Sequence, residues 1–223
     1  MYYPAALLCS FVAAAAAVAP PNGTRCLPFP SSMELLSSHF EQSAPPLVQS
    51  AFGTNFIQHK WNSNMSHITT GHIYNSPEQG KVRVDQAHEG TLASSLFNYG
   101  NVSENGLVDN TMVSFTEDFN KPEVFHGYVH QNFPLWTNDV LVQNKAVFGG
   151  LVERDFVSGK VASWDIMYQG AVPVTIFVNS CNVIVGYDYF SPELRTRVVT
   201  MYFNTQIGPV TPDAFIAFSA LPS

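Results

Sequence analysis

The amino-acid sequence predicts an all-β protein, a mainly antiparallel meander curved strongly enough to form a half-barrel, with at most one or two short helices. Three observations carry this expectation. From Phe52 onward the chain is a succession of short apolar or alternating runs broken by Gly, Asn, Pro and Asp, which is how strands and their turns read. Runs with helical period are almost absent. Aromatic residues reach 13% while charged residues reach only 12%, against about 25% in an ordinary globular chain, so a disordered or coiled-coil chain is excluded.

In chain order, residues 1–19 form an apolar stretch that ends in Ala17-Val18-Ala19, the small-x-small pattern of a signal-peptide cleavage site. The apolar run is too short to cross a bilayer, which takes about 20 residues, and no later segment is longer. The expected location is therefore secreted or extracellular, with no transmembrane segment. Cleavage removes Cys9 and leaves Cys26 and Cys181, an even pair that an oxidising compartment would join in a disulfide. Three N-x-[ST] sequons, at Asn22, Asn64 and Asn101, mark glycosylation sites for a eukaryotic secretory route.

Residues 20–50 carry Pro20, Pro21, Pro28, Pro30, Pro45 and Pro46 and read as an extended Pro/Ser-rich lead-in, with one short helix capped at Ser31-Ser32-Met33-Glu34. Residues 51–223 then form a single β domain. Its expected strands are 52–61, 65–74, 81–87, 91–99, 106–116, 123–131, 140–154, 160–168, 172–179, 183–190, 195–205 and 214–218. Turn signals at Glu78-Gln79-Gly80, Glu104-Asn105-Gly106, Ser158-Gly159 and Gly208-Pro209 make consecutive strands hairpins. Gly149-Gly150 reads as a bulge inside one strand rather than a reversal. Ser180-Cys181-Asn182 is short enough to join two strands, with Val183, Val185, Tyr187 and Tyr189 on one face of the second.

The net charge of -7 leaves no basic field for phosphates, so nucleic acid is not an expected partner. No G-x-S-x-G elbow and no glycine-rich phosphate loop are present. His126 and His130 are four residues apart, but along a strand that separates them by about 13 Å, too far for one zinc. Asp85, Asp165 and Asp188 each interrupt an apolar strand, where an unpaired carboxylate is costly. Ion pairs are the plain expectation, Arg83 for Asp85 and Arg195 or Arg197 for Asp188. If the three carboxylates converged with His126 as proton shuttle, they would serve a hydrolase or isomerase.

A curved sheet needs something apolar in its concavity, and the sequence supplies little helix to fill it. Phe125, Trp136, Trp164, Tyr168, Phe177 and Tyr187 are the candidate lining of a ligand pocket, core packing between two sheets being the alternative. Phe177 or Tyr187 is expected to project into that pocket.

Gly71-His72-Ile73-Tyr74 leading into Lys81-Val82-Arg83-Val84-Asp85, and Ile184-Val185-Gly186-Tyr187-Asp188-Tyr189-Phe190 near the end, give a strand order that resembles the secreted ependymin-related proteins. The resemblance covers roughly the last three quarters of the chain. It implies a LolA-like half-barrel around an apolar pocket, a lipid or other hydrophobic small molecule as partner, calcium as the one cofactor, and no catalysis. The residues themselves call for no cofactor and leave the oligomeric state open. The expected function is a secreted, non-enzymatic binding protein for a lipid-like ligand. The alternatives are the carboxylate enzyme and a glycosylated structural or adhesive surface protein.

Overall fold

The computed structural model describes residues 26–33, 42–62, 66–115, 121–168, 170–192 and 195–216. The signal segment 1–19, the sequons at Asn22 and Asn64 and most of the lead-in helix lie outside the described residues; of that helix the structure describes a single 3-10 turn, Ser31–Met33.

Eleven strands form one antiparallel sheet: β1 (Phe52–Trp61), β2 (Ser66–Ser76), β3 (Lys81–His88), β4 (Thr91–Val102), β5 (Val108–Phe115), β6 (Glu123–Val129), β7 (Val147–Glu153), β8 (Lys160–Tyr168), β9 (Val172–Val178), β10 (Ile184–Ser191) and β11 (Thr196–Ile207). Their lateral order is β6-β5-β4-β3-β2-β1-β11-β10-β9-β8-β7. Two meanders therefore meet at the β1–β11 pair, and β6 and β7 are the two open edges.

The chain must travel from one edge to the other through residues 130–146. A flat sheet would separate its edges by ten strand spacings, roughly 48 Å. This connector is coiled by turns and by one helical turn, α1 (Val140–Gln143), and cannot reach so far. The sheet instead curves around it. Phe133, Trp136, Val140, Leu141 and Ala146 of the connector share one core cluster with Val108 of β5, Phe97 of β4, Phe56 of β1, Tyr202 of β11, Ile176 of β9 and Trp164 of β8. Polar anchors set the path. Tyr99 on β4 donates to Phe133 O at 2.5 Å, Tyr168 on β8 donates to Gln131 Oε1 at 2.8 Å, and Trp136 Nε1 donates to Tyr202 Oη at 3.2 Å. At the centre, the fully buried Asn75 of β2 accepts from Trp136 N at 3.1 Å, while its amide donates to Trp136 O at 2.9 Å and to Ser50 O at 2.6 Å.

The lead-in is tied to the same place. Val48 N donates to Asn138 O, Gln49 N donates to Asn182 O, and Cys26 is bridged to Cys181 with their Cα atoms 5.1 Å apart. Closing a loop of 155 residues removes unfolded-state entropy worth about 4–5 kcal/mol in the chain-entropy model.

Four strand expectations are corrected. Segment 140–154 is not one strand: Val140 and Leu141 turn helically to enter the core, tertiary burial overriding the β propensity of Val-Leu-Val. Segment 214–218 is not a strand, because Pro212 opens a 3-10 turn over Pro212–Phe215 and residues beyond 216 lie outside the described residues. Gly208-Pro209 accordingly joins no hairpin. Finally, Val183, Val185, Tyr187 and Tyr189 do not share a face: the register shifts between Ile184 and Gly186, so Val185 packs on the outer face with Phe177 while Tyr187 and Tyr189 turn inward. Gly186 makes this bulge feasible, with φ of 148° and a position where a Cβ would lie 2.3 Å from Thr200 O. The bulge expected at Gly149-Gly150 is present, as a register shift between Phe148 and Gly150 inside a continuous β7. The hairpin over Ser180-Cys181-Asn182 is present too, with Asn179 Oδ1 accepting from the Cys181 and Val183 amides.

Two outcomes follow. Asn75→Ala strands two buried backbone groups of Trp136 and the part-buried Ser50 carbonyl, and should cost about 3 kcal/mol in urea unfolding; a change within about 0.5 kcal/mol would show that the connector is not held there. Gly186→Ala should destabilise far more than Gly90→Ala, where a Cβ meets open space, and thermal melts of the pair measure the difference.

Candidate functional site

On the inner face the strand register aligns side chains in rows. Trp164 of β8, Ile176 of β9 and Tyr187 of β10 lie directly across from one another. Trp136 packs edge-on against Tyr187 with ring centroids 5.3 Å apart, Tyr187 against Tyr202 at 6.0 Å, and Phe148 against Trp164 at 5.2 Å. Such tilted arrangements are the favoured ones for aromatic pairs. Phe133 completes the row on the other side, 5.6 Å from Phe56 and 6.2 Å from Phe97.

Of the six expected pocket residues, four therefore come together here: Trp136, Trp164 and Tyr187, all within 2% of complete burial, and the half-buried Tyr168. The other two lie elsewhere. Phe177 faces outward with Val161 and Val185, opposite in pleat to Ile176. Phe125 is on edge strand β6 and 42% exposed. The sequence marks Phe133 as one of the surplus aromatics without placing it in the pocket, and it gives no sign of Tyr99, Tyr202 and Asn75; all four line or anchor the same interior. In β11 Tyr202 alternates with Met201 and Phe203, and nothing local in the sequence indicates which of the two faces is concave.

Polar atoms in this interior are few and not all satisfied. Trp164 Nε1 and Tyr187 Oη are buried and make no hydrogen bond. Burial, reinforced by Tyr202 and Tyr189, pushes the Tyr187 phenol well above its ordinary range; Thr200 opposes the shift without reaching hydrogen-bond geometry. Burial likewise raises Tyr99, with Tyr168 adding to it, and raises Tyr202 against the opposing Trp136 hydrogen bond.

Each carboxylate has a partner of its own. Asp85 on β3 accepts from Arg83 Nε at 2.9 Å and from Ser94 Oγ at 2.6 Å. Asp165 on β8 accepts from Thr175 at 2.5 Å. Asp188 on β10 is gripped by neither Arg195 nor Arg197 but by Arg154, whose two terminal nitrogens meet its oxygens at 2.8 and 3.0 Å. Arg154 also stacks over the Phe177 ring at 3.9 Å and donates to Thr200 O. The β7–β8 connection brings this arginine over β10, a long-range placement that no neighbour in sequence signals. His126 on β6 shares a hydrogen bond of 2.9 Å with Thr111 and lies 3.5 Å from Asp109. Asp165 and Asp188 flank Thr175 in one lateral row of the outer face, two strand spacings or roughly 10 Å apart, whereas Asp85 on β3 and His126 on β6 lie beyond β11, β1 and β2, so the four groups do not meet in one cleft.

No protein-family model matches the chain, and no curated protein matches it. Solved structures to which it is similar include MucB, at 10% identity and a TM-score of 0.41 over 77% of this chain and 58% of MucB. A DUF1329 family protein from Desulfovibrio piger matches at 9% identity and a TM-score of 0.35 over 78% of this chain and 92% of its own. A LolA superfamily protein from Nitrosomonas europaea matches at 10% identity and a TM-score of 0.29 over 77% and 92%. Two of these three neighbours are thus of DUF1329 and LolA-superfamily type and none is named as ependymin-related, and at such identities and TM-scores they carry nothing about ligand or activity.

The tyrosine shifts have a defined sign. A phenol whose folded pKa lies above its unfolded value near 10 adds stability that is fully present below pH 10 and is lost as pH rises beyond it. Alkaline unfolding should therefore begin above about pH 10 and coincide with phenolate absorbance from the buried tyrosines. Titration of Tyr99, Tyr187 and Tyr202 with the fold intact would contradict it. On the outer face, Asp188→Asn removes half of the Arg154 fork and should cost about 1.5–3 kcal/mol in chemical denaturation.

Proposed function

We propose that this chain is an extracytoplasmic, non-catalytic binding protein for an amphiphilic, lipid-like molecule taken onto the inner face of the curved sheet. The observation that supports the reading most directly is the pair of unpartnered buried groups, Trp164 Nε1 and Tyr187 Oη, in one lateral row of an otherwise aromatic interior. A buried polar group without a partner costs about 1–3 kcal/mol, and a hydroxyl or carboxyl head group would satisfy both while its apolar tail replaced connector side chains. The disulfide supports an oxidising compartment. No helix among the described residues is long and apolar enough to cross a membrane. The individually partnered carboxylates, with Asp85 and His126 remote from Asp165 and Asp188, count against the acid–base alternative. The ependymin-related resemblance, calcium included, and glycosylation at Asn22, Asn64 and Asn101 belong to this proposal.

Because the 130–146 connector fills the concavity, uptake requires it to yield, and the Asn75 clamp resists that. The purified protein should release a lipid on organic extraction, or bind a fluorescent fatty acid in a 1:1 complex by native mass spectrometry. Asn75→Ala should take up the probe faster than the parent. Phe177→Leu, which keeps the buried outer-face cluster apolar, should leave uptake unchanged, in contrast to what a pocket-lining Phe177 would require. A protein that yields no lipid and ignores the probe, with Asn75→Ala equally inert, would sink the reading and leave the surface-protein alternative.

A further inference from the structure

Three side chains outside this interior stand together at the far end of β2 and β3. His67 is on β2, and His88 closes β3 immediately before the Glu89-Gly90 turn into β4. Register pairs Thr70 with Ala87, which sets His67 and His88 diagonally adjacent on the same face. Their rings meet edge to face with centroids 5.1 Å apart, and His88 Nε2 lies 3.8 Å from Glu89 Oε2. One ligand atom from each of the three residues falls within 4.8 Å of the others.

Two further observations need explaining. His67 Nδ1 is buried and makes no hydrogen bond. Glu89 has a φ of 43° and Gly90 of 80°, so the β3–β4 hairpin is a two-residue turn with both residues left-handed, where Asn, Asp or Gly is the usual first residue. A glutamate there is disfavoured by its backbone, yet it sets a carboxylate beside two imidazoles.

We propose that His67, His88 and Glu89 bind a divalent transition-metal ion, zinc being the natural fit. Two imidazole nitrogens and one carboxylate oxygen are a ligand set zinc uses, with donors about 3.4 Å apart around a tetrahedral ion. The observed spread of up to 4.8 Å must close by about 1.4 Å, within reach of the exposed Glu89 and half-exposed His88 side chains. The fourth position is left to water or to a donor from a bound molecule. Calcium, which takes six or more oxygens, is not suited to this set. The site joins strand β2 to the β3–β4 turn, so a bound ion would also cross-link the two.

Titration of the full secreted chain, carrying no histidine tag, with Co²⁺ alone should give one equivalent bound with visible tetrahedral bands, displaced by Zn²⁺ and unmoved by millimolar Ca²⁺. His88→Ala and Glu89→Asn should each weaken binding by about tenfold or more, at least what loss of an outer partner costs. Glu89→Asn suits the turn's backbone, so it folds at least as well as the parent and keeps the loss attributable to the carboxylate. Absence of a stoichiometric cobalt spectrum, displacement by calcium, or unchanged affinity in both variants would overturn the proposal.

Discussion

The architecture depends on one crossing. Because β6 and β7 are opposite edges of the sheet and are consecutive in sequence, residues 130–146 must bridge them, and the bridge is short only if the sheet bends. Asn75 converts that geometric demand into an attachment. Its side chain offers an acceptor and donors that match the Trp136 backbone as a neighbouring strand would, in a place where no strand is available. Trp136 is thereby inserted between Tyr187 and Tyr202, and the core is built from the connector outward.

The strand segments were largely readable because alternation and turn chemistry are local. Segments 52–61 and 160–168 coincide with β1 and β8 at both ends, and the Glu78-Gln79-Gly80 and Ser158-Gly159 turns stand between paired strands. The failures share a cause. Val140-Leu141-Val142 has the composition of a strand, but its neighbours in space are aromatic residues far away in sequence, and these decided its conformation. At Val185-Gly186 a single extra residue reverses the pleat for all that follows, and no period-2 count can register an insertion made by pairing.

The functional residues were readable to a similar depth. Aromatic excess correctly pointed to an interior richer than a thin sheet requires, yet which aromatic faced inward depended on bulges and on the path of the connector. Arg154 reaching Asp188 and His67 meeting His88 are both products of register between strands. The second was within reach of counting, since the turn after β2 fixes which residues of β2 and β3 lie opposite.

The meeting of the two meanders has a kinetic side. The central strand pair joins β1, near the start of the described chain, to β11, near its end. The cysteine that tethers the lead-in, Cys181, is likewise a late residue. Five hairpins on the β1 side can form as the chain emerges, but the seam that makes them half of a whole cannot close until almost the last strand exists. Such high contact order predicts slow folding, on the millisecond-to-second scale or longer, and leaves β1 as an unpaired edge throughout synthesis. Gly53, Thr54 and Asn55, where the β1–β11 register shifts, interrupt that edge with polar and side-chain-free positions, a local defence against pairing with the wrong chain before the right strand arrives.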